Sequence, residues 1–378
     1  MIKTETSKKT WWTVLVFYFL IAFEIFYMVS PFAAYYYSIY GKGLNAFNSN
    51  PLTQWLSSFF LPHIVVDTAS LFLDAHNIIG GILAAAGFIF FLAGAGHIYY
   101  YKFTGRGAVT GGIYNYIRHP QYLALSICGF GLLLVWPRYM VLIMFMAMLF
   151  AYYFLARAEE KECREKFGQT YIDYQKRTSM FVPFNLPLPG RLPSLPKSGF
   201  KRLISVLALY IFLTATAIGM ANLLKSYSLD NMYTFFTADS ATISVSKVEE
   251  STLKRIGELA LSSGEVQNKI KNKPGADSKL LNYVLPADWY VPEIPMNEIG
   301  PGLGHHFPEN YNKSLYKIII TRANLINSEN AQGKDIILRA TGRIPLIEVT
   351  VDLSQNKILK INDPPAKIRY ENVPTPLF

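Results

Sequence analysis

The chain has 378 residues, 51% of them hydrophobic and 15% aromatic, with only 16% charged. So little charge excludes a disordered chain and argues against one soluble globule, and 26 Phe with 25 Tyr suit a membrane protein with aromatic interfacial belts. The net charge of +10 is uneven: residues 1–225 carry 19 Lys+Arg against 9 Asp+Glu, and residues 226–378 carry 17 of each. These basic residues flank apolar runs instead of forming stripes on a soluble domain, so a nucleic-acid partner is not expected.

Five apolar runs are candidate spans: Trp11–Ser30, Ile78–Tyr101, Tyr122–Trp136, Tyr139–Leu155 and Leu203–Leu224. The third and fourth are short and joined by Pro137 and Arg138, which reads as a tight hairpin. With the N-terminus inside, inner segments hold 16 Lys and Arg, and the outer loops hold Lys42 and Arg138. That bias predicts a cytosolic N-terminus, five spans and an extracytoplasmic C-terminal domain. Leu52–Leu73 is apolar but holds Pro62, His63 and Asp67, and is expected to lie at the outer interface with Trp55 and Phe59 in lipid. Tyr35-Tyr36-Tyr37 reads as an interfacial belt, Glu24 as an acid within the first span, and Gly94-Ala95-Gly96 as close helix packing. The expected divisions are 1–77 (first span and outer segment), 78–183 (membrane core), 184–225 (Pro-rich linker and fifth span) and 226–378 (the C-terminal domain).

The chemistry concentrates in residues 105–183. A glycine-rich loop, 105–112, leads into Ile113-Tyr114-Asn115-Tyr116-Ile117-Arg118-His119-Pro120-Gln121-Tyr122. After the hairpin come Arg157, Glu159-Glu160, Phe167-Gly168, Tyr171, Tyr174, Arg177 and Val182-Pro183. Pro120 suits the first turn of a helix, whose free amides accept an anionic group. Adjacent carboxylates point to different sides of a helix, so Glu159 and Glu160 need not share one role. One is placed to meet a cation or a diol, the other to pair with Arg118 or Arg157.

Gly112, Tyr116, Arg118, His119, Pro120 and Tyr122, followed by the hairpin and then by Glu159, Glu160, Phe167, Gly168, Tyr171, Tyr174, Val182 and Pro183, resemble the isoprenylcysteine carboxyl methyltransferase and phospholipid methyltransferase superfamily of integral membrane enzymes. The resemblance covers about Ile78–Pro183; many members carry Gly where Ala124 stands. It implies S-adenosylmethionine as cofactor, bound without a Rossmann domain by Gly112, Tyr116, Arg118, His119, Pro120, Tyr122, Glu159 and Glu160. It also implies a hydrophobic or lipidic acceptor, either an isoprenylcysteine-like carboxylate or an amino phospholipid. A carboxylate acceptor needs a cationic clamp, for which Arg177 is the candidate; an amine must lose a proton to His119 or a glutamate. The alternative is a catalytically silent relative that anchors the C-terminal domain.

His97 reads as interfacial, and His305-His306 has no partner pattern for a metal, so no metal site is expected. Cys128 and Cys163 form no C-x-x-C spacing. In the C-terminal part Val248–Ile270 reads as an amphipathic helix, Lys317–Arg322 and Asp335–Thr341 as strands, and the alternation Ile347, Val349, Val351, Leu353 with Lys357–Ile361 as a hairpin. This α+β domain resembles small PepSY-type extracytoplasmic domains, shows no catalytic constellation, and is expected to bind a ligand or protein partner.

Overall fold

The computed structural model describes residues 46–105, 109–182, 199–273, 278–297, 310–326, 330–367 and 374–378, with positions 15, 19, 308 and 370. The run Trp11–Ser30 apart from Leu15 and Phe19, Lys42, Glu24, the Tyr35 cluster, Arg106, the linker Pro183–Pro196 and His305-His306 lie outside the described residues. The chain divides into two compact units, Met1–Phe32 with His76–Gly219, and Ala33–Ala75 with Met220–Phe378.

The first unit is helical. Helix α1 (Leu71–Phe103) is followed by a 3-10 turn (Gly112–Asn115), α2 (Pro120–Val135), α3 (Tyr139–Phe167), α4 (Gln169–Arg177) and the first part of α5 (Gly199–Asn231). Helices α1, α3 and α5 are long and apolar enough to cross a membrane. At 1.5 Å per residue α2 reaches only about 24 Å, short of the hydrocarbon thickness, as the hairpin reading anticipates. Two of the expected runs, Ile78–Tyr101 and Leu203–Leu224, fall inside α1 and α5, and Tyr139–Leu155 continues through Phe167 as α3.

Glycines set the α1–α2 crossing. A Cβ on Gly87 would stand 2.5 Å from the Cys128 amide nitrogen and 2.7 Å from the Ala124 carbonyl, and one on Gly80 would stand 2.7 Å from the Gly131 carbonyl. Only bare backbones fit at that distance, the usual device where lipid removes any hydrophobic drive between helices. The close packing expected at Gly94-Ala95-Gly96 is instead carried by Gly80, Gly87 and Gly131; among the described residues nothing lies within 4 Å of a Cβ on Gly96. Gly168, at φ +56°, ends α3 and lets α4 turn away.

The second unit holds a six-stranded sheet of β1 (Thr234–Phe236), β2 (Ser240–Ser244), β3 (Leu280–Pro286), β4 (Leu315–Leu325), β5 (Ala340–Asp352) and β6 (Lys357–Asn362), paired in sequence order. Every pairing is antiparallel except β2–β3, whose crossover carries α6 (Glu250–Leu261) and α7 (Gly264–Lys271). Alternation along β4 sends Ile318 and Ile320 into the core shared with Leu253, Ile256 and Val266 of α6 and α7, and Ile319 to the opposite core with Tyr283 and Trp289. The expected β5–β6 hairpin is present, its turn tied by Asp352, which accepts from the Ser354 and Gln355 amides.

Three expectations need correction. Val248–Ile270 is two helices, broken at Ser262-Ser263. Asp335–Thr341 is mostly helix α8 (Lys334–Arg339): the adjacent Ile336 and Ile337 both enter the same core, whereas strand alternation would send them to opposite faces. Leu52–Leu73 holds a 3-10 turn (Gln54–Ser57), then non-helical chain that packs within the second unit, and the first residues of α1. Ile64 and Val65 join the core of Tyr283 and Leu229, Phe59 is 3% exposed, and the Val66 amide donates to Val245. Asp67 accepts from the Lys247 amide at 3.2 Å. That contact satisfies Asp67, one of the residues that mark this stretch as a poor span.

Candidate functional site

The sequence around Arg118 is held by backbone before side chains act. Gly112 takes φ +64°, open only to glycine without strain, and starts the 3-10 turn. The chain then runs beside the segment after α4: the Arg118 amide donates to Ser179 O at 2.9 Å, the His119 amide to Met180 O at 3.1 Å, and the Ser179 amide to Tyr116 O at 3.3 Å. His119 is the N-cap of α2 and Pro120 its first residue, where a missing N–H costs nothing. Tyr174 of α4 locks the arrangement by donating to the Tyr114 carbonyl at 2.7 Å.

Onto this frame the hairpin returns Glu159 and Glu160. Arg118 Nε donates to Glu160 Oε1 at 2.6 Å, and its Nη1 donates to the Gln175 carbonyl at 3.1 Å and to the Thr178 carbonyl. His119 lies between the carboxylates, Nδ1 3.5 Å from Glu159 Oε2 and Nε2 3.6 Å from Glu160 Oε1. Tyr122 donates to Glu159 Oε1 at 2.6 Å, and its ring stacks on His119 (5.7 Å) and on Tyr152 (5.6 Å). The Glu160 side chain is 2% exposed, the Glu159 side chain 31%. The two neighbours are therefore placed differently: Glu160 closes a buried ion pair and Glu159 keeps a part-exposed carboxylate.

Electrostatics follow from this packing. Burial works against a proton on His119, but Glu159 and then Glu160 outweigh it and raise its pKa above the ordinary histidine value. Burial pushes the Tyr174 phenol up to about 12 and raises Tyr114 further, with Tyr174 and Glu159 adding to it. Both phenols stay neutral donors.

Six of the sequence-selected residues meet here: Arg118, His119, Pro120, Tyr122, Glu159 and Glu160. Gly112 shapes the turn beside them. Tyr116 is 67% exposed, and its carbonyl, not its ring, takes part. Arg177 is exposed at the end of α4, and among the described residues no hydrogen bond or ion pair ties it to the cluster. Ala124 is buried, its carbonyl against Gly87 in the α1–α2 crossing. Sequence reasoning missed Thr178 and Gln175, whose carbonyls hold the Arg118 guanidinium, and the Tyr114 hydroxyl, which donates to the Gly94 carbonyl at 3.3 Å. Only the Tyr114 position carried a signal, as one more aromatic in the motif. His97 stacks on Tyr114 with ring centres 6.0 Å apart. No group of three metal-ligating side chains occurs among the described residues.

Residues 72–170 match the phospholipid methyltransferase family model. The matched stretch starts in α1, contains the whole α2–α3 hairpin with Arg118, His119, Glu159 and Glu160, and ends in α4. No curated protein and no solved structure matches the chain. The resemblance read from the motif is thus matched by a family model over this stretch.

Proposed function

We propose that the chain is an S-adenosylmethionine-dependent methyltransferase acting on a hydrophobic or lipidic acceptor at the membrane interface. The observation that carries the reading is the division of labour in the Glu159-Glu160 pair, inside the segment that matches the family. The donor set suits the cofactor. Glu159 offers a part-exposed carboxylate to a sulfonium, an ammonium or a ribose diol, and Tyr122 and His119 offer aromatic faces beside it. When bound, the cofactor supplies an activated methyl group for in-line displacement. Arg118, already engaged by Glu160 and two carbonyls, acts as a positioning residue that holds the loop and α3 together. His119 carries a proton between two carboxylates and gives up net charge most readily when a cation arrives beside Glu159.

The acceptor's chemistry follows from His119. With its pKa raised it is more often already protonated near neutral pH and so less available as a proton acceptor, which favours a methyl acceptor that arrives as an anion, such as a carboxylate. For an amine, Glu159 is the better-placed proton acceptor. The basic-residue count supports a cytosolic N-terminus, a site at the cytosolic interface and an extracytoplasmic domain at residues 226–378, which we propose binds a ligand or protein partner. Single-cysteine labelling at positions 191 and 357 in intact cells tests the sidedness; labelling of 191 from outside would reverse it. Methyl transfer from labelled S-adenosylmethionine to extracted membrane lipid by the purified full chain tests the activity. Loss of transfer in Glu159→Gln with the fold retained is the expected result, and unchanged transfer would remove Glu159 from the site.

A further inference from the structure

Helix α4 leaves α3 at Gly168, whose φ of +56° is strained for any other residue and whose Cβ position meets nothing within 4 Å among the described residues. Such a junction sets where α4 starts but not where its far end lies. The far end matters to the site, because the Gln175 and Thr178 carbonyls that hold the Arg118 guanidinium lie in and just after the last turn of α4. A backbone carbonyl is placed only by what fixes its own segment.

Side chains fix this segment from two directions. Tyr174 fastens it to the motif loop by donating to the Tyr114 carbonyl at 2.7 Å. Arg164 fastens it to α3, its Nη1 donating to Gln175 Oε1 at 3.3 Å. Gln175 thus accepts from two guanidiniums, Arg164 on its side-chain oxygen and Arg118 on its backbone oxygen at 3.1 Å. Arg164 stands one turn after Glu160. Helix α3 therefore supplies both the carboxylate that accepts from Arg118 Nε at 2.6 Å and the cation that steadies the carbonyl accepting from Arg118 Nη1. The charged contacts of Asp173 differ: it accepts from Gln169 at 2.9 Å and from Lys176 at 2.8 Å, both within α4.

We infer that Arg164 is a positioning residue, which through Gln175 holds the last turn of α4 where its carbonyls keep Arg118 aligned on Glu160. What the aligned site binds rests on the methyl-transfer reading. The sign of the effect separates positioning from charge. S-adenosylmethionine carries a net positive charge, so an arginine acting only through its field repels it, and removing that arginine would tighten binding. Removing a positioning arginine weakens binding instead.

Calorimetric titration of S-adenosylmethionine into the purified full chain, with hydrogen exchange of the motif loop read by mass spectrometry on the same samples, tests it. Arg164→Met and Gln175→Met should each weaken the cofactor about fivefold. The double variant should lose no more than either alone, since both cut one bond. Arg164→Lys should recover part of the loss. Exchange at residues 116–119 should quicken in both Met variants at the wild-type melting temperature. Lys161→Met, which removes an exposed cation from the same helix, should change neither readout. A wild type that binds no cofactor would refute the methyl-transfer reading, and exchange at 116–119 would still decide the role of Arg164. Unchanged exchange there in both Met variants, wild-type affinity in both, tighter binding in Arg164→Met, or additive losses in the double variant would overturn it.

Discussion

Glu159 and Glu160 are neighbours that should fail in different ways. Replacing Glu160 by Gln removes the charge from a buried pair in which Arg118 Nε donates at 2.6 Å and the two side chains are 12% and 2% exposed. Breaking such a pair from one side costs about 3–5 kcal/mol. The guanidinium keeps the Gln175 and Thr178 carbonyls, so the low end, about 3 kcal/mol, applies. Glu159→Gln loses charge from a side chain that is 31% exposed and keeps an oxygen for the Tyr122 hydroxyl, so about 1 kcal/mol or less is expected. Denaturant unfolding in mild detergent reads both, and a double-mutant cycle with Arg118→Met should return a coupling of about 1–3 kcal/mol for Glu160. If Glu160→Gln is as stable as wild type, or Glu159→Gln is the more damaging, the assignment of buried pair and open carboxylate is wrong.

His119, with its pKa raised, contributes stability that is fully present below its unfolded value of about 6.5 and lost as pH rises through the higher folded value; the melting difference between wild type and His119→Gln should shrink across that window. Gly87→Ala puts a methyl within 2.5 Å of the Cys128 amide, so α1 and α2 must part, and thermal melting should show a loss of about 1–3 kcal/mol. Truncation after Lys225 would strip the partners of Phe59, Leu61, Ile64 and Val65, all buried within the second unit. At about 1.5–3 kcal/mol for each exposed side chain, limited proteolysis should cut the truncated chain between residues 59 and 70, where the full chain resists; equal resistance would refute the packing of that segment.

The helical core was legible because its signals are local or motif-bound: apolar runs give α1, α3 and α5, and Arg118-His119 with Glu159-Glu160 mark two ends of one hairpin. The carbonyls that hold Arg118 were not legible, since any residue type supplies a carbonyl and only the pairing of the loop with residues 178–180 brings these two into reach. Nor did the sequence reveal the role of 59–66. An apolar stretch interrupted by Pro62 and His63 reads the same whether it faces lipid or a sheet, and the decision rests on strands more than 170 residues away. In α8, Ile336-Ile337-Leu338 looked like strand because short apolar runs do not distinguish the two periods; Gly333 at φ +54°, just before Lys334, marks the start of the helix.

Calorimetric titration of S-adenosylmethionine into the purified full chain, wild type against Glu159→Gln, bears most directly on the proposed activity. Saturable binding is expected in the wild type. It should strengthen as pH rises through the His119 titration, because a cation beside Glu159 displaces a proton, and it should weaken about tenfold or more in Glu159→Gln at unchanged stability. No saturable binding by the folded wild type, or wild-type affinity in Glu159→Gln, would contradict the account.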